Sequence, residues 1–527
     1  MARQTFLQGT LILVGASLFT RVLGFFYRIL LSRSIGAEGM GLFQMAYPTF
    51  TVMYTLITAG IPVALAKHVA EAEAEQDEAR IRWLLFASIG VVLTLSGLGI
   101  LLLLLAAPYL AQHLLTDERT YLSLVAMTPI FPIVALTSVF RGYFQGRQNM
   151  TPSALSQVSE QVVRLMTVYT VTAFFLPYGI AYAAAGTMLG MAAGELAGLL
   201  CLTYFYRTER LTYRQDLPVR RLRAWRLTPL PSRPERKKTL FNLTRMALPV
   251  TVSRFVGTLS YFFEPIVVAQ CLAVAGYSAA QSTTLYGQLA GMAVPLIIFP
   301  TVITYALSVS LVPVVAEAMA KRQHAVIRQR MHQSLRIALV MGAPFCVLLY
   351  VLAEPLTQLL YGDPEVGQLL RWMAPFSLFL YYQGPLTAVL QGMDEAKLAM
   401  RHTIIGALLK MTAIFLLASR PDWNIHGVAL AISLSMVSVT ILHMWSLSRR
   451  IGWNMKSLDF VKVGSAVLVM GAGQKWAVGY SDGLSLLSQC LLVSGIGLLL
   501  YILVLVLTGT LDRDDLRRLP IIGKWFA

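Results

Sequence analysis

Ionisable side chains inside long apolar runs are the residues of this chain most able to do chemistry. A charge near the centre of a bilayer costs about 2.5–3.5 kcal/mol on insertion scales, so it must face protein or water. The candidates are Arg21, Arg28, Glu160, Arg164, Glu195, Arg254, Glu264 and Lys410. Because Arg can hold a phosphate with two parallel hydrogen bonds, the excess of cations predicts a path for an anionic substrate.

Two pairs of these cations recur at fixed spacings. Arg164 and Lys410 are 246 residues apart, a spacing that also relates other matched residues of the two halves. Nearer the start the spacing is 233 residues, which relates Arg21 to Arg254. A hydrophobic chain built from two similar halves is typical of a transporter whose substrate passes between the halves. We therefore expect both halves to supply cations to the path.

Other interpretations of the same charges stay open. Glu160 and Arg164 stand four residues apart on one predicted helix, so they can neutralise each other. Glu195 and Glu264 can likewise pair with a neighbouring Arg as structural locks. Glu264 is alternatively a candidate ligand for a coupling cation.

The composition indicates an integral membrane protein. Of the 527 residues, 56% are hydrophobic and 13% are charged, and the mean hydropathy is +0.64. A soluble protein of this size does not need so much apolar material. The net charge of +17 comes from Lys and Arg in short loops, which indicates the membrane surface rather than nucleic acid as the partner. The four cysteines have no CxxC spacing, so no metal or redox site is predicted.

The apolar runs predict an all-α integral membrane protein with about fourteen transmembrane helices. Six form each of two repeats, and because six is an even number the repeats are parallel. We expect them to form N- and C-lobes around a central cavity, followed by two extra C-terminal helices. The predicted spans are 9–31, 40–66, 84–106, 121–144, 153–176, 180–206, 240–272, 284–312, 335–356, 370–391, 401–419, 425–447, 459–479 and 484–508. The predicted domains are the N-lobe 1–206, a basic linker 207–239, the C-lobe 240–448, and the last two helices with the tail, 449–527.

The distribution of Lys and Arg predicts the orientation. The segment 207–238 holds eleven of them, whereas the loops on the opposite side hold few. Because Lys and Arg concentrate in cytoplasmic loops, we expect both termini and the linker on the cytoplasmic side of the cell membrane.

The sequence contains no enzyme motif. It has no Walker loop, no HExxH and no GxSxG. No catalytic residue, metal or cofactor is therefore predicted. Asp117 and Asp363 lie singly in outer loops and are interpreted as turn residues.

Several longer motifs point to one family. They are Gln4-Thr-Phe-Leu-Gln-Gly-Thr10, Thr20-Arg-Val-Leu-Gly24, Arg141-Gly-Tyr-Phe-Gln-Gly-Arg-Gln-Asn149, Phe174-Leu-Pro-Tyr-Gly-Ile180 and Phe262-Phe-Glu-Pro-Ile-Val-Val-Ala-Gln270. With them the chain resembles the stage V sporulation protein B-like polysaccharide-transport family. That family is a branch of the MOP flippase superfamily and is related to the MurJ-like lipid II flippases. The resemblance covers nearly the whole chain.

The resemblance implies two lobes that work by alternating access on a lipid-linked cell-wall or polysaccharide precursor. It implies that Arg21 is a cavity arginine and that the last two helices, about 459–508, form a groove for the lipid tail. Lipid II flippases also place cations in their second and eighth helices, but 40–66 and 284–312 hold no charge here. Polar groups are available there instead, and Gln44 and Gln288 join the predicted substrate path.

The predicted function is therefore a flippase that carries an anionic, lipid II-like precursor across the cytoplasmic membrane, in spore cortex or envelope biogenesis. Its expected partners are the lipid-linked sugar, membrane lipids and, as a further candidate, cell-wall synthesis proteins. One alternative is a MATE-like multidrug or cation antiporter, which needs an acidic cavity. Another is a non-transporting scaffold of a cell-wall assembly complex.

Overall fold

A computed structural model describes residues 6–58, 60–215, 232–452, 457–481 and 483–510. Every regular element in this part of the chain is a helix, and no strand occurs in it. The chain is an all-α membrane protein, as predicted. The middle of the basic linker and the basic tail, which entered the prediction of orientation, lie outside the described residues.

The chain divides into two compact units, one that ends at Gly287 and one that begins at Gln288. The helices of the first unit are α1 Phe6–Thr58, α2 Ile61–Ala74, α3 Glu78–Tyr109, α4 Thr120–Ala126, α5 Ile130–Gly146, α6 Thr151–Phe175, α7 Ile180–Gln215, α8 Arg233–Val274 and α9 Ala279–Tyr286. The helices of the second unit are α10 Val294–Ile298, α11 Thr301–Ala320, α12 His324–Val351, α13 Ala353–Tyr361, α14 Val366–Met373, α15 Ser377–Gly392, α16 Ala396–Ala418, α17 Asn424–Ile451, α18 Ser457–Gly479 and α19 Leu486–Leu507.

Each predicted span coincides with a helix or with consecutive helices. By length and composition, nine helices of the described chain could cross a membrane, or ten if α4 and α5, bent by 43° where they meet, form one span. The count of fourteen helices and the parallel arrangement of the repeats stay predictions.

The first helix, α1, consists of two helical segments joined at Gly36. Gly36 has a φ of 65° and a ψ of −173°, which lie outside the helical region. A residue with a Cβ would be strained in this conformation. The predicted spans 9–31 and 40–66 lie on either side of this break, so the break at Gly36 falls between the first two spans.

Helix α8 packs in the first unit, against α1 and α2. The Gly60 N–H donates a hydrogen bond to Oγ1 of Thr251 on α8 at 2.9 Å. A Cβ on Gly60 would lie 2.4 Å from the carbonyl oxygen of Ala247, so the close contact needs a glycine. The sequence repeat assigns this helix to the second half, whereas its contacts assign it to the first unit.

Helix α9 lies directly against the second segment of α1. A Cβ on Gly41 would lie 1.9 Å from the carbonyl oxygen of Thr283, and one on Gly287 would lie 2.0 Å from that of Ala37. Both distances are far shorter than van der Waals contact, so the helices pack this closely because neither glycine has a side chain.

The core of the second unit lies between α11, α12, α15, α17 and α18. Its fully buried side chains include Val315, Ile327, Met331, Leu386 and Leu447. Helix α18 packs against α12 through this core and also contacts α19, whose Tyr501 and Leu505 belong to the same core. The core therefore fixes α18 beside α12, where the two helices line a groove described below.

Candidate functional site

A network of four charges lies in the first unit where α5, α6 and α7 meet. Arg164 on α6 forms an ion pair with Glu195 on α7 at 2.8 Å and another with Glu160, one helical turn away. Arg141 on α5 donates to Glu160 at 2.7 Å and to the hydroxyl of Ser156 at 3.2 Å. Three helices are thus joined by charge-assisted hydrogen bonds inside an apolar bundle.

The glycines of α7 bring Glu195 to Arg164. Gly190, Gly194 and Gly198 are spaced four residues apart and lie on the face turned to α6. A Cβ on Gly194 would lie 2.7 Å from Cβ of Arg164, and one on Gly190 would lie 2.6 Å from Cα of Val168. Small residues at this spacing let helix backbones approach closely in membranes. Glu195, next to Gly194, is thereby held beside α6.

The network is largely closed to solvent and its charges balance. The side chains of Glu195, Glu160, Arg164 and Arg141 are 8%, 12%, 17% and 21% exposed. Two carboxylates and two guanidinium groups neutralise one another, which offsets the cost of burying them. In this conformation Glu160, Arg164 and Glu195 bind each other, in agreement with the alternative of mutual neutralisation. Their role in a substrate path stays a prediction.

Arg141 is the member of the network that the sequence analysis did not include among the site residues. It lies within the predicted span 121–144, close to its end. Applying the rule for charges inside spans to the whole of that span would have included it.

Tyr54 of α1 lies within electrostatic range of both the network and Arg254. Its side chain lies within electrostatic range of Arg141, Glu160 and Glu195, and also of Arg254 on α8. Arg254 itself is exposed. Arg254 and the network therefore belong to one polar region of the first unit.

The other predicted residues of α1 lie along the same helix. Arg21 is exposed, Arg28 is half-buried and Gln44 is buried. Tyr27, which is buried, lies within electrostatic range of both Arg28 and Arg164. Arg28 is thus close to the four-charge network. Lys410, the repeat partner of Arg164, is half-buried on α16 of the second unit.

Glu264 is a buried carboxyl group of α8, 8% exposed. It shares a side-chain hydrogen bond with Tyr286, the last residue of α9. Because a carboxylate can only accept, the tyrosine hydroxyl is the donor to an ionised Glu264. Its binding of a coupling cation stays a prediction.

Gln288 holds an outer loop of the second unit. Its side-chain amide donates to Asp363 at 3.0 Å and to Glu365 at 3.3 Å. Asp363 also accepts from the Glu365 N–H at 3.0 Å, as a turn residue does. Gln288 and Asp363 therefore stabilise this loop, while a contact of Gln288 with substrate stays a prediction.

Asp117 makes contacts beyond those of the turn residue that the sequence predicts. It accepts from the backbone N–H of Arg119 at 3.1 Å, which is a turn contact. It also binds the Arg119 guanidinium through both oxygens, at 3.0 and 2.9 Å, and accepts from the Thr283 hydroxyl at 2.7 Å. Arg119 in turn contacts Glu38 of α1 at 2.5 Å. A carboxylate that is 4% exposed thus ties together α1, the loop after α3, and α9.

We expect Asp117→Asn to destabilise the first unit by about 1–3 kcal/mol, because hydrogen bonds to a charged group are lost. Burial raises the pKa of Asp117, but the hydrogen bonds from Arg119 and Thr283 and the charge of Arg119 outweigh it and lower the pKa below its usual value. The stabilisation is therefore present above about pH 4 and is lost as the pH falls through the lowered pKa. Thermal unfolding of the purified wild type and variant at acidic pH measures this loss of stabilisation. Equal acid sensitivity in the two proteins would contradict the prediction.

The second unit contains an apolar groove with a cavity volume of about 840 Å³. One wall is a face of α18, and the other walls come from α12 and from the region around Pro375 and Leu378. The residues of α18 in the lining are Phe460, Val463, Gly464, Val467, Leu468, Gly471, Ala472, Lys475 and Val478. Their spacing of three and four residues makes one continuous stripe along the helix.

The groove is nearly as long as the hydrocarbon core of a membrane is thick. From Phe460 to Val478, at about 1.5 Å per residue, α18 rises by roughly 27 Å, close to the roughly 30 Å of a hydrocarbon core. Within the lining, Arg371 and Lys475 are the charged residues, and the rest is mainly apolar. Helix α19 contributes no residue to the lining, so the groove is formed by the first of the two C-terminal helices together with α12.

Comparison with known proteins gives the family. The model of the polysaccharide biosynthesis protein family matches residues 6–319, and the MatE model matches residues 249–416. The chain belongs to the polysaccharide biosynthesis protein family. Within it the chain is 43% identical to the stage V sporulation protein B of Bacillus subtilis, over 99% of both chains.

More distant relatives of the family give the same fold. The chain is 25% identical to the lipid II flippase MurJ of Bacillus subtilis, over 98% of this chain and 97% of that one. A solved structure of the lipid II flippase MurJ in an inward closed conformation superposes with a TM-score of 0.65 at 15% identity, covering 95% of this chain and 99% of that chain. By its name MurJ is a flippase, and this family member is likewise a transporter rather than an enzyme.

Proposed function

We propose that this member of a family of membrane flippases of polysaccharide precursors carries an anionic, lipid-linked sugar from the inner to the outer leaflet of the cytoplasmic membrane. The mechanism is alternating access, and both termini face the cytoplasm. The observation that carries the proposal is the groove of the second unit, because its length and apolar lining suit one long lipid chain. A small soluble drug would not need such a groove.

The length of the groove favours a polyprenyl tail over an acyl tail. Each acyl chain of a bilayer lipid occupies one leaflet, about half of the roughly 30 Å hydrocarbon core. A groove of roughly 27 Å would leave half of its apolar surface uncovered by such a chain. A single chain that follows the whole of α18 fills it, and each buried CH₂ group adds about 0.8 kcal/mol.

The first unit offers the cations that a phosphate group needs. Arg254 is exposed on α8, and Tyr54 lies near both Arg254 and Arg141. Guanidinium groups bind phosphate with two parallel hydrogen bonds, which gives both affinity and orientation. Arg21, exposed on α1, is a second candidate. The sugar and the diphosphate are thus proposed to bind the first unit through Arg254 and Arg21.

Filling the groove should weaken the binding of long-chain cargo. A Cβ on Gly464, which lines the groove, meets no atom within 4 Å, so Gly464→Trp can place its ring in open space. We expect a roughly tenfold loss of affinity for a long polyprenyl diphosphate-sugar and little change for a short-chain analogue, because the loss comes from displaced apolar contact. Gly495→Trp on α19 is the matched control, since Gly495 also has open space around it but lies outside the groove. Equal affinities of the two variants for the long-chain cargo would contradict this use of the groove.

Depletion of the protein in its own organism tests the function in the cell. We expect lipid-linked precursor to accumulate on the inner face of the membrane, and a wild-type copy should reverse the accumulation. Unchanged turnover of all lipid-linked precursors in depleted cells would count against a flippase and in favour of a scaffold.

A further inference from the structure

We propose that the carboxyl pair Glu160–Glu195 is a binding site for one proton, and that a proton bound there releases positive charge for an anion. The identity of the anion rests on the proposed function, whereas the proton site does not.

The first observation is that the two carboxyl groups share one guanidinium group. Nη2 of Arg164 contacts an oxygen of Glu160 and an oxygen of Glu195, so the two carboxyl groups lie close together on neighbouring helices. Ionised carboxylates can only accept hydrogen bonds, so these two carboxyl groups can form a hydrogen bond with each other only after one of them has bound a proton. Two carboxyl groups that share a site hold one proton much more tightly than an isolated carboxyl group does.

The second observation is a buried carboxylate oxygen that has no hydrogen-bond donor among the described residues. Arg164 contacts one oxygen of each carboxylate, and Arg141 contacts the other oxygen of Glu160. The second oxygen, Oε2 of Glu195, is buried and has no donor among the described residues. A buried acceptor without a donor is costly, and a proton on this oxygen turns it into a donor.

The charges around the carboxyl pair show how a bound proton changes the net charge of the network. With both carboxyl groups ionised, Arg141 and Arg164 balance them. With one proton bound, the network carries one net positive charge in an apolar bundle, which an anion can neutralise. The other titratable groups facing it are Tyr27, Tyr47 and Tyr54 from α1 and, beside Arg141, Cys201 from α7.

Proton binding and anion binding therefore favour each other. The proton is taken up from water when the anion binds and is returned to water when the anion leaves, so charge and atoms balance. By linkage, an anion that binds the protonated network raises its proton affinity by the same factor by which the proton raises the anion affinity.

Infrared difference spectra of the purified full-length protein, recorded without cargo between about pH 6 and about pH 9, where exposed carboxyl groups stay ionised, test the proton site directly. We expect a carboxylic-acid band in the wild type that is lost at alkaline pH. The band should be missing in Glu195→Gln and present in Glu264→Gln, which removes another buried carboxyl group of the same unit. Glu195→Asp, which keeps the carboxyl group, should restore a band at a shifted position.

The amide of Glu195→Gln resembles the protonated carboxyl group, so this variant should fold and should bind anions as the protonated wild type does. Farnesyl diphosphate serves as the anionic probe. Above the midpoint of the proton titration, the affinity of the wild type divided by the affinity of Glu195→Gln should fall about tenfold per pH unit, because one proton is taken up per anion bound. A band that survives in Glu195→Gln or vanishes in Glu264→Gln would overturn the proton site. An affinity ratio that does not change with pH would overturn the link to the anion. If flipping fails while the band behaves as expected, the proposed function falls and the proton site stands.

Discussion

Removing the Arg164 guanidinium is expected to destabilise the first unit by about 3–5 kcal/mol, the cost of leaving buried charge without its partner. Arg164→Met keeps a long apolar side chain but leaves Glu195 without its cation and Glu160 with Arg141 alone. Unfolding of the purified protein by heat or denaturant measures the loss. Arg245→Met is the control, because Arg245 is exposed on α8 of the same unit and should change stability by less than about 0.5 kcal/mol.

A compensating variant separates charge from packing. Adding Glu195→Gln to Arg164→Met removes the carboxylate that Arg164 alone neutralises, so we expect at least half of the lost stability to return. No recovery in the double variant would mean that the Arg164 side chain acts by packing rather than by charge.

Arg254→Ala is expected to lower cargo flipping about 10- to 100-fold while the protein stays folded. The side chain is exposed, so its removal leaves no buried charge behind. The loss corresponds to one charge-assisted contact with phosphate, about 1.5–3 kcal/mol. Initial flipping rates in proteoliposomes measure it, with Arg245→Ala as an exposed arginine of the same helix that should retain full activity.

If Arg254→Ala flips cargo at the wild-type rate, Arg254 lies outside the substrate path. If both Arg254→Ala and Arg21→Ala leave function in the cell intact while the proteins stay folded and in the membrane, a scaffold becomes the better account.

Much of the fold could be predicted because the bilayer constrains it. Apolar runs of about 20 residues have to be helices in a membrane, and each predicted span coincides with helical structure. The break between the first two spans was also visible as a gap between apolar runs. The closeness of α9 to α1 was not predictable, since it depends on Gly41 and Gly287, which are far apart in sequence and meet only in the folded chain.

The site was predictable in its residue types but not in its pairings. Charges inside spans identified Glu160, Arg164 and Glu195, and the i,i+4 spacing predicted one of their ion pairs. Glu195 joins them because of the glycines that bring α7 close to α6. A list of charges does not contain that contact, and the anchoring role of Asp117 was missed for the same reason. Arg141, in contrast, is a charge inside a predicted span that the same rule would have included.

The groove illustrates a similar limit. The family resemblance implied a tail groove in the last two helices, about 459–508. In the structure an apolar groove is lined by α18, α12 and residues near Pro375, whereas α19 contributes no residue to its lining. Which face of an apolar helix stays open depends on its neighbours, and helix α18 is apolar on several faces.

A flipping assay in proteoliposomes with a defined polyprenyl diphosphate-sugar tests the central claim most directly. The purified protein should move this cargo between leaflets, should fail to move a cationic drug, and should lose most of its rate in Arg254→Ala. Movement of the drug but not of the lipid-linked sugar, or equal rates with protein and with empty liposomes, would contradict the account.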